Sequence, residues 1–173
     1  MVHKGLIEMA IDHAEHRISA NNILFGLSHF LTLALPPEWG ITRSYLQPDV
    51  HTNVRRGELL WVDAGQTDQV VYHPTRKIAL DLTIEVKRGK RDHFKAKGVA
   101  VHSQGSLTIN GHEASYILGE VGTGFLKKKL VKTLRLYFHC PELGRTIMIS
   151  FTGACQETDI MEIFESLPKS KCH

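Results

Sequence analysis

The spacing of apolar residues divides this chain into a helical beginning, a long run of strands and a helical end. Near residues 4–19 apolar side chains recur every three or four positions, a spacing that predicts one amphipathic helix. From His29 onward apolar and polar residues alternate, which is typical of β-strands. Helical spacing returns near the end of the chain, where it predicts a final helix capped by Thr158 or Asp159 and ended by Pro168.

The clearest strand is predicted over residues 77–87. Every second residue from Ile78 to Val86 is apolar there, and the residues between them are mostly polar or charged. Such a strand keeps one face on a core and the other partly in water, which is typical of antiparallel sheets. Similar patterns predict further strands at 29–35, 57–64, 69–73, 106–109, 113–118, 130–140 and 146–152.

Turn residues predict how neighbouring strands connect. Asn110-Gly111 separates the strands at 106–109 and 113–118, and both central residues of a tight hairpin turn need the positive φ that Asn and Gly tolerate best. A second turn is predicted at 141–144. The whole pattern predicts a single α+β domain, in which a mostly antiparallel sheet is flanked by N- and C-terminal helices.

Several motifs also follow one another in the order found in a known fold family. A first strand runs into Pro-Pro-Glu-Trp-Gly at 36–40, a long strand occupies the middle of the chain, and the hairpin at 107–116 carries a small residue and an aromatic one after its glycine. In this arrangement the sequence resembles the PsbP-like fold. That group includes an extrinsic lumenal subunit of photosystem II and a Ran-binding nuclear-transport factor. The resemblance covers residues 29–173 and leaves residues 1–28 as an N-terminal helical extension.

The resemblance implies a sheet with helices packed against it and no particular chemistry. Members of the family are mostly binding or assembly proteins, so it implies a role that is not enzymatic, and it carries over no ligand residue. The sequence agrees, since it contains no Gly-x-Ser-x-Gly motif. The glycines at 119–124 match neither a dinucleotide-binding loop nor a phosphate-binding P-loop.

Composition places the chain among ordinary globular proteins. Of its 173 residues, 42% are hydrophobic and 23% are charged, which excludes a disordered or fibrous chain. Residues 1–20 carry Glu8, Asp12 and Glu15, so they do not form the uninterrupted apolar segment of a secretory signal. The most apolar stretch, at 23–35, is shorter than the ~20 residues that span a bilayer. We therefore predict a cytoplasmic protein without a membrane partner.

Cysteine and histidine residues raise the question of a metal site. Adjacent residues of a strand point to opposite faces, so His139 and Cys140 cannot easily bind the same ion. Cys140 shares the face that the last helix is expected to cover, and that helix ends near Cys172. Three interpretations stay open for this pair: a disulfide, unpaired thiols, or a zinc or other transition-metal site in which Cys140 and Cys172 join His173 or another histidine. Cys155 remains as a third, spare cysteine.

Positive charge is concentrated in two short segments. Residues 87–97 and residues 127–135 each carry a net charge of +5, whereas the whole chain carries only +3. If the two segments adjoin in the fold, they form a basic patch that holds phosphate, nucleic acid or an acidic protein. The predicted partner-binding residues are Lys87, Arg88, Lys90, Arg91, Lys127, Lys128 and Lys129. The alternative is that both segments are solvated, with lysines that discourage edge-to-edge strand pairing.

These observations favour a non-enzymatic binding or assembly module that uses a basic edge and needs no cofactor. An acidic protein or another anionic partner is predicted, with nucleic acid as a further candidate. The N-terminal helix is a candidate for homodimerisation. The alternative is a metal- or redox-responsive protein that uses Cys140, Cys172 and His173.

Overall fold

The computed structural model describes residues 13–22, 26–43, 65–91, 98–124 and 129–173 of the chain. Within these residues it has nine strands, one α-helix and a short 3-10 helix. The strands are β1 Ala14–Asn22, β2 Gly26–Leu35, β3 Gly40–Arg43, β4 Gly65–His73, β5 Ile78–Arg88, β6 Val99–Ile109, β7 His112–Thr123, β8 Lys129–Cys140 and β9 Arg145–Gly153. Helix α1 spans Glu157–Ser166, and the 3-10 helix follows at Leu167–Lys169. The predicted strand at 57–64 lies outside the described residues.

The strands form two sheets, and every pair in them is antiparallel. β1 and β2 make a hairpin of their own. The other seven strands make one sheet in the order β3-β4-β5-β9-β8-β7-β6. The prediction of a mostly antiparallel sheet is therefore confirmed.

The predicted N-terminal helix is wrong where the structure describes that segment. Ala14–Asn22 form β1, which pairs with β2 along its whole length. An apolar stripe at helical spacing is a weak local signal, and pairing with the apolar strand β2 overrides it. Ile18, opposite Leu31, is buried in the core from this strand. Over the residues that the structure describes, the fold is therefore a mostly antiparallel β-structure with one short C-terminal α-helix, and not an α+β domain flanked by helices at both ends.

This correction bears on two expectations about the N-terminal region. The boundary expected between residues 28 and 29 falls inside β2, Gly26–Leu35, which continues across it. Residues 14–22 form a strand, so they provide no helix for homodimerisation. Residues 1–12 of the predicted helix lie outside the described residues.

The predicted hairpin and the predicted C-terminal helix are both confirmed. Asn110 and Gly111 have φ values of 50° and 82° and join β6 to β7. Helix α1 follows the N-cap Gln156, whose backbone N–H donates to the Asp159 carboxylate at 2.8 Å. Thr158 and Asp159 therefore lie in the first turn, slightly after the true cap. Neither helix in the described part of the chain is long and apolar enough to cross a membrane.

One apolar core joins the hairpin β1–β2, helix α1 and a face of the seven-stranded sheet. Alternate residues of β5, from Leu80 to Val86, are buried, as the period-two pattern predicted. Leu33 of β2, Phe151 of β9 and Ile160 of α1 belong to the same buried cluster. Because folding removes all of these side chains from water, their burial stabilises the hairpin, helix and sheet as one unit.

The segment that follows the 3-10 helix returns to the β1–β2 hairpin. Lys171 and Thr32 exchange two backbone hydrogen bonds, of 2.7 and 2.9 Å. The Ser170 hydroxyl accepts a hydrogen bond from the Ala34 N–H at 2.9 Å, and Lys171 Nζ lies 2.8 Å from a carboxylate oxygen of Glu15. We call residues 170–173 the tail. These contacts hold the tail along β2 and so determine where its last two side chains point.

Gly119 of β7 lies where the backbones of β6 and β7 approach closely, and its substitution tests this close approach. A Cβ atom added there would lie 2.3 Å from the Ala100 carbonyl oxygen of β6, so the backbone would have to move. We expect Gly119→Ala to lower the free energy of unfolding by about 1–3 kcal/mol, measured by urea denaturation. Gly105→Ala is the matched control, because the nearest atoms to its Cβ belong to the Tyr116 ring, at 3.2 Å. An equal loss in both variants would contradict the close approach of β6 to β7.

Candidate metal centre

Four side chains that can bind a metal ion converge at one end of the seven-stranded sheet. His112, Cys140, Cys172 and His173 each place one nitrogen or sulfur atom within 4.8 Å of the other three. Cys140 and Cys172 are buried, His112 is partly buried and His173 is exposed. We call these four residues the Cys/His cluster.

The register between β7 and β8 sets His112 beside Cys140. Ala114 of β7 lies opposite Phe138 of β8, and two residues further along both strands the same register reaches His112 and Cys140. Directly opposed residues have Cβ atoms about 4.5–5.5 Å apart on the same face of the sheet. His112 also follows the Asn110-Gly111 turn directly, so the tight hairpin helps to hold its backbone in place.

The tail supplies the other two side chains of the cluster. Because Lys171 is hydrogen-bonded to Thr32, the next residue, Cys172, enters the core and is 0% exposed. His173 Nδ1 lies 3.2 Å from Cys172 Sγ and 3.7 Å from Cys140 Sγ. The cluster thus joins three segments that are far apart in the sequence, namely the start of β7, the end of β8 and the tail.

The distances in the cluster fit a tetrahedral metal ion. Bonds of about 2.3 Å to sulfur and about 2.0–2.1 Å to nitrogen place the ligand atoms of a tetrahedral zinc site about 3.3–3.8 Å apart. The two distances from His173 Nδ1, 3.2 and 3.7 Å, lie close to this range. No two of the four ligand atoms are more than 4.8 Å apart, so the cluster is only slightly wider than such a site.

One nitrogen of the cluster is left without a hydrogen bond. His112 Nε2 is buried and has no hydrogen-bond partner among the described residues, although Glu142 Oε2 lies 3.2 Å from it. A buried polar atom that makes no hydrogen bond is destabilising. Coordination to a metal ion satisfies such a nitrogen, so this observation also fits a metal site.

The Cys140 thiol is protonated while no metal is bound. Burial, together with a hydrogen bond to Cys172, raises the pKa of the Cys140 thiol to about 12. A bound metal ion displaces the thiol proton, since the thiolate is the ligand. Asn110 Nδ2 donates to Cys172 Sγ at 3.6 Å, a contact that supports negative charge on that sulfur.

Glu142 lies beside the cluster, in the turn between β8 and β9. Its Oε2 accepts a hydrogen bond from the Cys140 thiol at 3.5 Å. Its own backbone N–H holds the pKa of the Glu142 carboxyl below the ordinary value, and the hydrogen bond with Cys140 and the charges of His112 and His173 lower that pKa further.

The structure brings together three residues that the sequence singled out and adds a fourth. Cys140, Cys172 and His173 meet as the metal interpretation predicted, whereas His112 was missed. The sequence did place His112 directly after the predicted Asn110-Gly111 turn. Placing it beside Cys140, however, required the pairing register of β7 with β8. His139 is excluded, as expected from strand alternation, and its Nδ1 lies 3.5 Å from Thr146 Oγ1 instead.

The cysteines are free thiols in this structure. No disulfide joins Cys140 to Cys172, so the metal interpretation and the unpaired interpretation of this pair remain. Cys155 is half-buried just before α1 and is not a member of the cluster. Burial raises the pKa of its thiol to about 11.

Among the described residues that were predicted to bind a partner, Lys129 lies at the opposite end of the sheet from Lys87, Arg88, Lys90 and Arg91. Arg88 lies opposite Arg145, and Arg145 lies opposite Cys140, the last residue of β8. Lys129 is the first residue of the same strand, so about 35 Å of extended chain separates it from that end of the sheet. The two segments therefore do not form one patch through these residues.

Four of the predicted partner-binding residues remain close to one another. Lys87 and Arg88 end β5, and Lys90 and Arg91 follow directly after Gly89. Lys127 and Lys128 lie outside the described residues. These four residues lie at the end of the sheet that also carries the Cys/His cluster, and their role in binding a partner stays a prediction.

The function of this end of the sheet has to be inferred from its geometry. The resemblance to the PsbP-like fold stays a prediction, and so does the binding role that it implies. No protein-family model matches the sequence, and the comparison with curated proteins found no match.

Proposed function

We propose that this protein binds one transition-metal ion through His112, Cys140, Cys172 and His173, and that the preferred metal is zinc. The observation that carries the proposal is the convergence of four ligand atoms from three separate segments to within 4.8 Å of one another. A metal-responsive role was the alternative function predicted from the sequence. The proposal adds His112 to the three ligands predicted there.

The chemistry of the four ligands favours zinc. Two sulfur and two imidazole ligands in a tetrahedral arrangement are typical of zinc sites, whereas magnesium and calcium prefer oxygen. Four protein ligands also leave no open position for a substrate or an activated water molecule. The site therefore fits a structural or regulatory metal better than a catalytic one.

A metal ion in this position would connect the tail to the sheet. His112 and Cys140 belong to neighbouring strands of the sheet, and Cys172 and His173 belong to the tail. The tail is in turn hydrogen-bonded to Thr32 of the β1–β2 hairpin. The proposed function is thus that of a metal-responsive protein in which zinc fastens the tail, and through it the hairpin, to the main sheet.

Metal content tests this proposal directly. Protein prepared without a histidine tag, incubated with zinc and freed of excess metal, should hold close to one zinc ion per chain by elemental analysis. Cys140→Ser and Cys172→Ser should each weaken zinc binding by more than about 100-fold, because a serine hydroxyl is a poor replacement for a thiolate and loss of even an outer partner weakens binding about 10- to 100-fold. Cys155→Ser should bind zinc like the natural protein, since Cys155 lies outside the cluster. A natural protein that retains no zinc, or a Cys155→Ser variant that loses it, would overturn the proposal.

A further inference from the structure

Two cysteines of the Cys/His cluster lie close enough to react with each other. Cys140 Sγ and Cys172 Sγ are within 4.8 Å of each other, and the Cys140 thiol is hydrogen-bonded to Cys172. Cys140 ends β8 and Cys172 belongs to the tail, so a bond between them would join the tail to the main sheet. Both thiols are free in this structure, which therefore describes their reduced state.

The third cysteine of the chain lies too far away to react with this pair. Cys140 lies opposite Arg145, the first residue of β9, whereas Cys155 follows Gly153, the last residue of β9, by two positions. The extended strand between these ends covers about 26 Å. In the folded chain, only Cys140 and Cys172 can therefore form an intramolecular disulfide.

A disulfide and a zinc ion would use the same two sulfur atoms. Zinc binds cysteine as the thiolate, and a sulfur that has entered a disulfide no longer carries this negative charge. Oxidation of the pair would leave His112 and His173 as the remaining ligands of the proposed site. Two imidazoles alone hold zinc far more weakly than four ligands, so the metal would leave as the disulfide forms.

We infer that the proposed zinc site is regulated by oxidation: a peroxide converts Cys140 and Cys172 to a disulfide and thereby releases the metal. This regulation rests on the proposed function, since it acts on the same ligands. In the reduced state zinc fastens the tail to the sheet, and in the oxidised state the disulfide fastens it instead. The tail keeps its place in both states, and what changes is whether metal is bound.

The reaction consumes one hydrogen peroxide molecule per chain. One thiolate attacks a peroxide oxygen, so that a sulfur–oxygen bond forms, the oxygen–oxygen bond breaks and hydroxide leaves. The second thiolate attacks the resulting sulfenic acid, so that the sulfur–sulfur bond forms, the sulfur–oxygen bond breaks and a second hydroxide leaves. The two sulfurs lose two electrons and the peroxide gains them. Two protons from the solvent convert both hydroxides to water.

Two features of the cluster let a peroxide act on it. Zinc binding removes the thiol protons, and the thiolate is the form of cysteine that attacks an oxidant. His173 is exposed, so one side of the cluster is open to solvent although both cysteines are buried. We expect a molecule as small as hydrogen peroxide to reach the sulfurs from that side.

Zinc release and disulfide formation are measured together on the whole, zinc-loaded protein. A small excess of hydrogen peroxide should release all of the bound zinc, read with a chromogenic chelator. The intact mass should fall by the mass of two hydrogen atoms, and peptide mapping without reductant should locate the new bond between Cys140 and Cys172. Dithiothreitol should then restore zinc binding. Zinc that stays bound, or that leaves while the sulfurs gain oxygen atoms instead of forming a disulfide, would overturn the inference.

Single substitutions separate this pair from the third cysteine. Cys155→Ser should release zinc and form the disulfide as the natural protein does, because Cys155 lies outside the cluster. Cys172→Ala keeps an apolar side chain at a buried position and should form no intramolecular disulfide with peroxide. Cys140→Ala should behave in the same way, so the result does not depend on one variant folding well. A disulfide that includes Cys155 would also overturn the inference.

The zinc content of the reduced protein, measured before peroxide is added, separates two kinds of failure. A reduced protein that retains no zinc overturns the proposed function, and regulation by metal release with it. A protein that holds zinc and keeps it under peroxide overturns the redox regulation alone. The oxidised protein should also unfold several degrees above the reduced, metal-free protein, because a disulfide between distant segments restricts the unfolded chain. An equal or lower unfolding temperature would contradict the fastening of the tail by the disulfide.

Discussion

Zinc added to the metal-free protein should raise its unfolding temperature by about 10 °C. A ligand that binds only the folded state at a free concentration 1,000 times its dissociation constant stabilises it by about 4.1 kcal/mol. For a chain of this size, each kcal/mol shifts the unfolding temperature by about 2–4 °C. The effect is large because the metal connects segments that separate completely on unfolding, namely β7, β8 and the tail. Thermal unfolding followed by circular dichroism, with and without zinc, measures it.

Histidine variants provide the control for this stabilisation. His112→Ala removes a proposed ligand, so zinc should raise its unfolding temperature by only a small fraction of the natural shift. His139→Ala removes a neighbouring histidine on the other face of β8, and the full shift should remain. Hydrogen exchange adds a local measurement, because the amides of Thr32 and Lys171 are bonded to each other's carbonyls and should exchange more slowly with zinc bound. A zinc shift of equal size in both histidine variants would contradict the proposed site.

Phe151→Ala should lower the free energy of unfolding by roughly 3–5 kcal/mol, a large part of the total stability of a domain. Phe151 lies on β9, at the centre of the sheet, and is 0% exposed. Leu82 of β5 lies opposite it on one side and Leu134 of β8 on the other, and both are also fully buried. Truncation to alanine therefore leaves a cavity that neighbouring strands cannot close without disturbing their hydrogen bonds. Urea denaturation measures the loss.

Met148 offers a matched control on the same strand. It lies on the opposite face of β9 and is only partly buried, so Met148→Ala should lower the free energy of unfolding by about 1 kcal/mol. Zinc is kept in excess in both measurements, so that any change at the metal site does not contribute. Equal losses for Phe151→Ala and Met148→Ala would mean that the helix-covered face is not the main core.

The elements that the sequence predicted well are those with a strong local signal. The strict alternation from Ile78 to Val86 predicted both β5 and its buried face, and Asn110-Gly111 predicted the hairpin because few other residues tolerate positive φ at both positions. The apolar stripe of α1 predicted the C-terminal helix. In each case the residues that determine the structure lie within one turn or one strand of one another.

The N-terminal segment shows where local signals fail. Residues 14–19 have an apolar spacing compatible with a helix, yet they form β1, because β2 offers a complete antiparallel partner that buries Ile18. The choice between helix and strand was therefore made by a second segment. No pattern within residues 4–19 could have revealed it.

The candidate sites, like the fold, were predicted only in part from the sequence. Residue types and strand alternation sufficed to select Cys140, Cys172 and His173 and to exclude His139, and a count of charges located both basic segments. His112 entered its site only through the tertiary structure, which also separated Lys129 from Arg88. The reason is physical: strand register and strand direction are set by contacts between residues far apart in the chain. Local patterns constrain which face a side chain takes, and only the folded sheet decides which side chains meet.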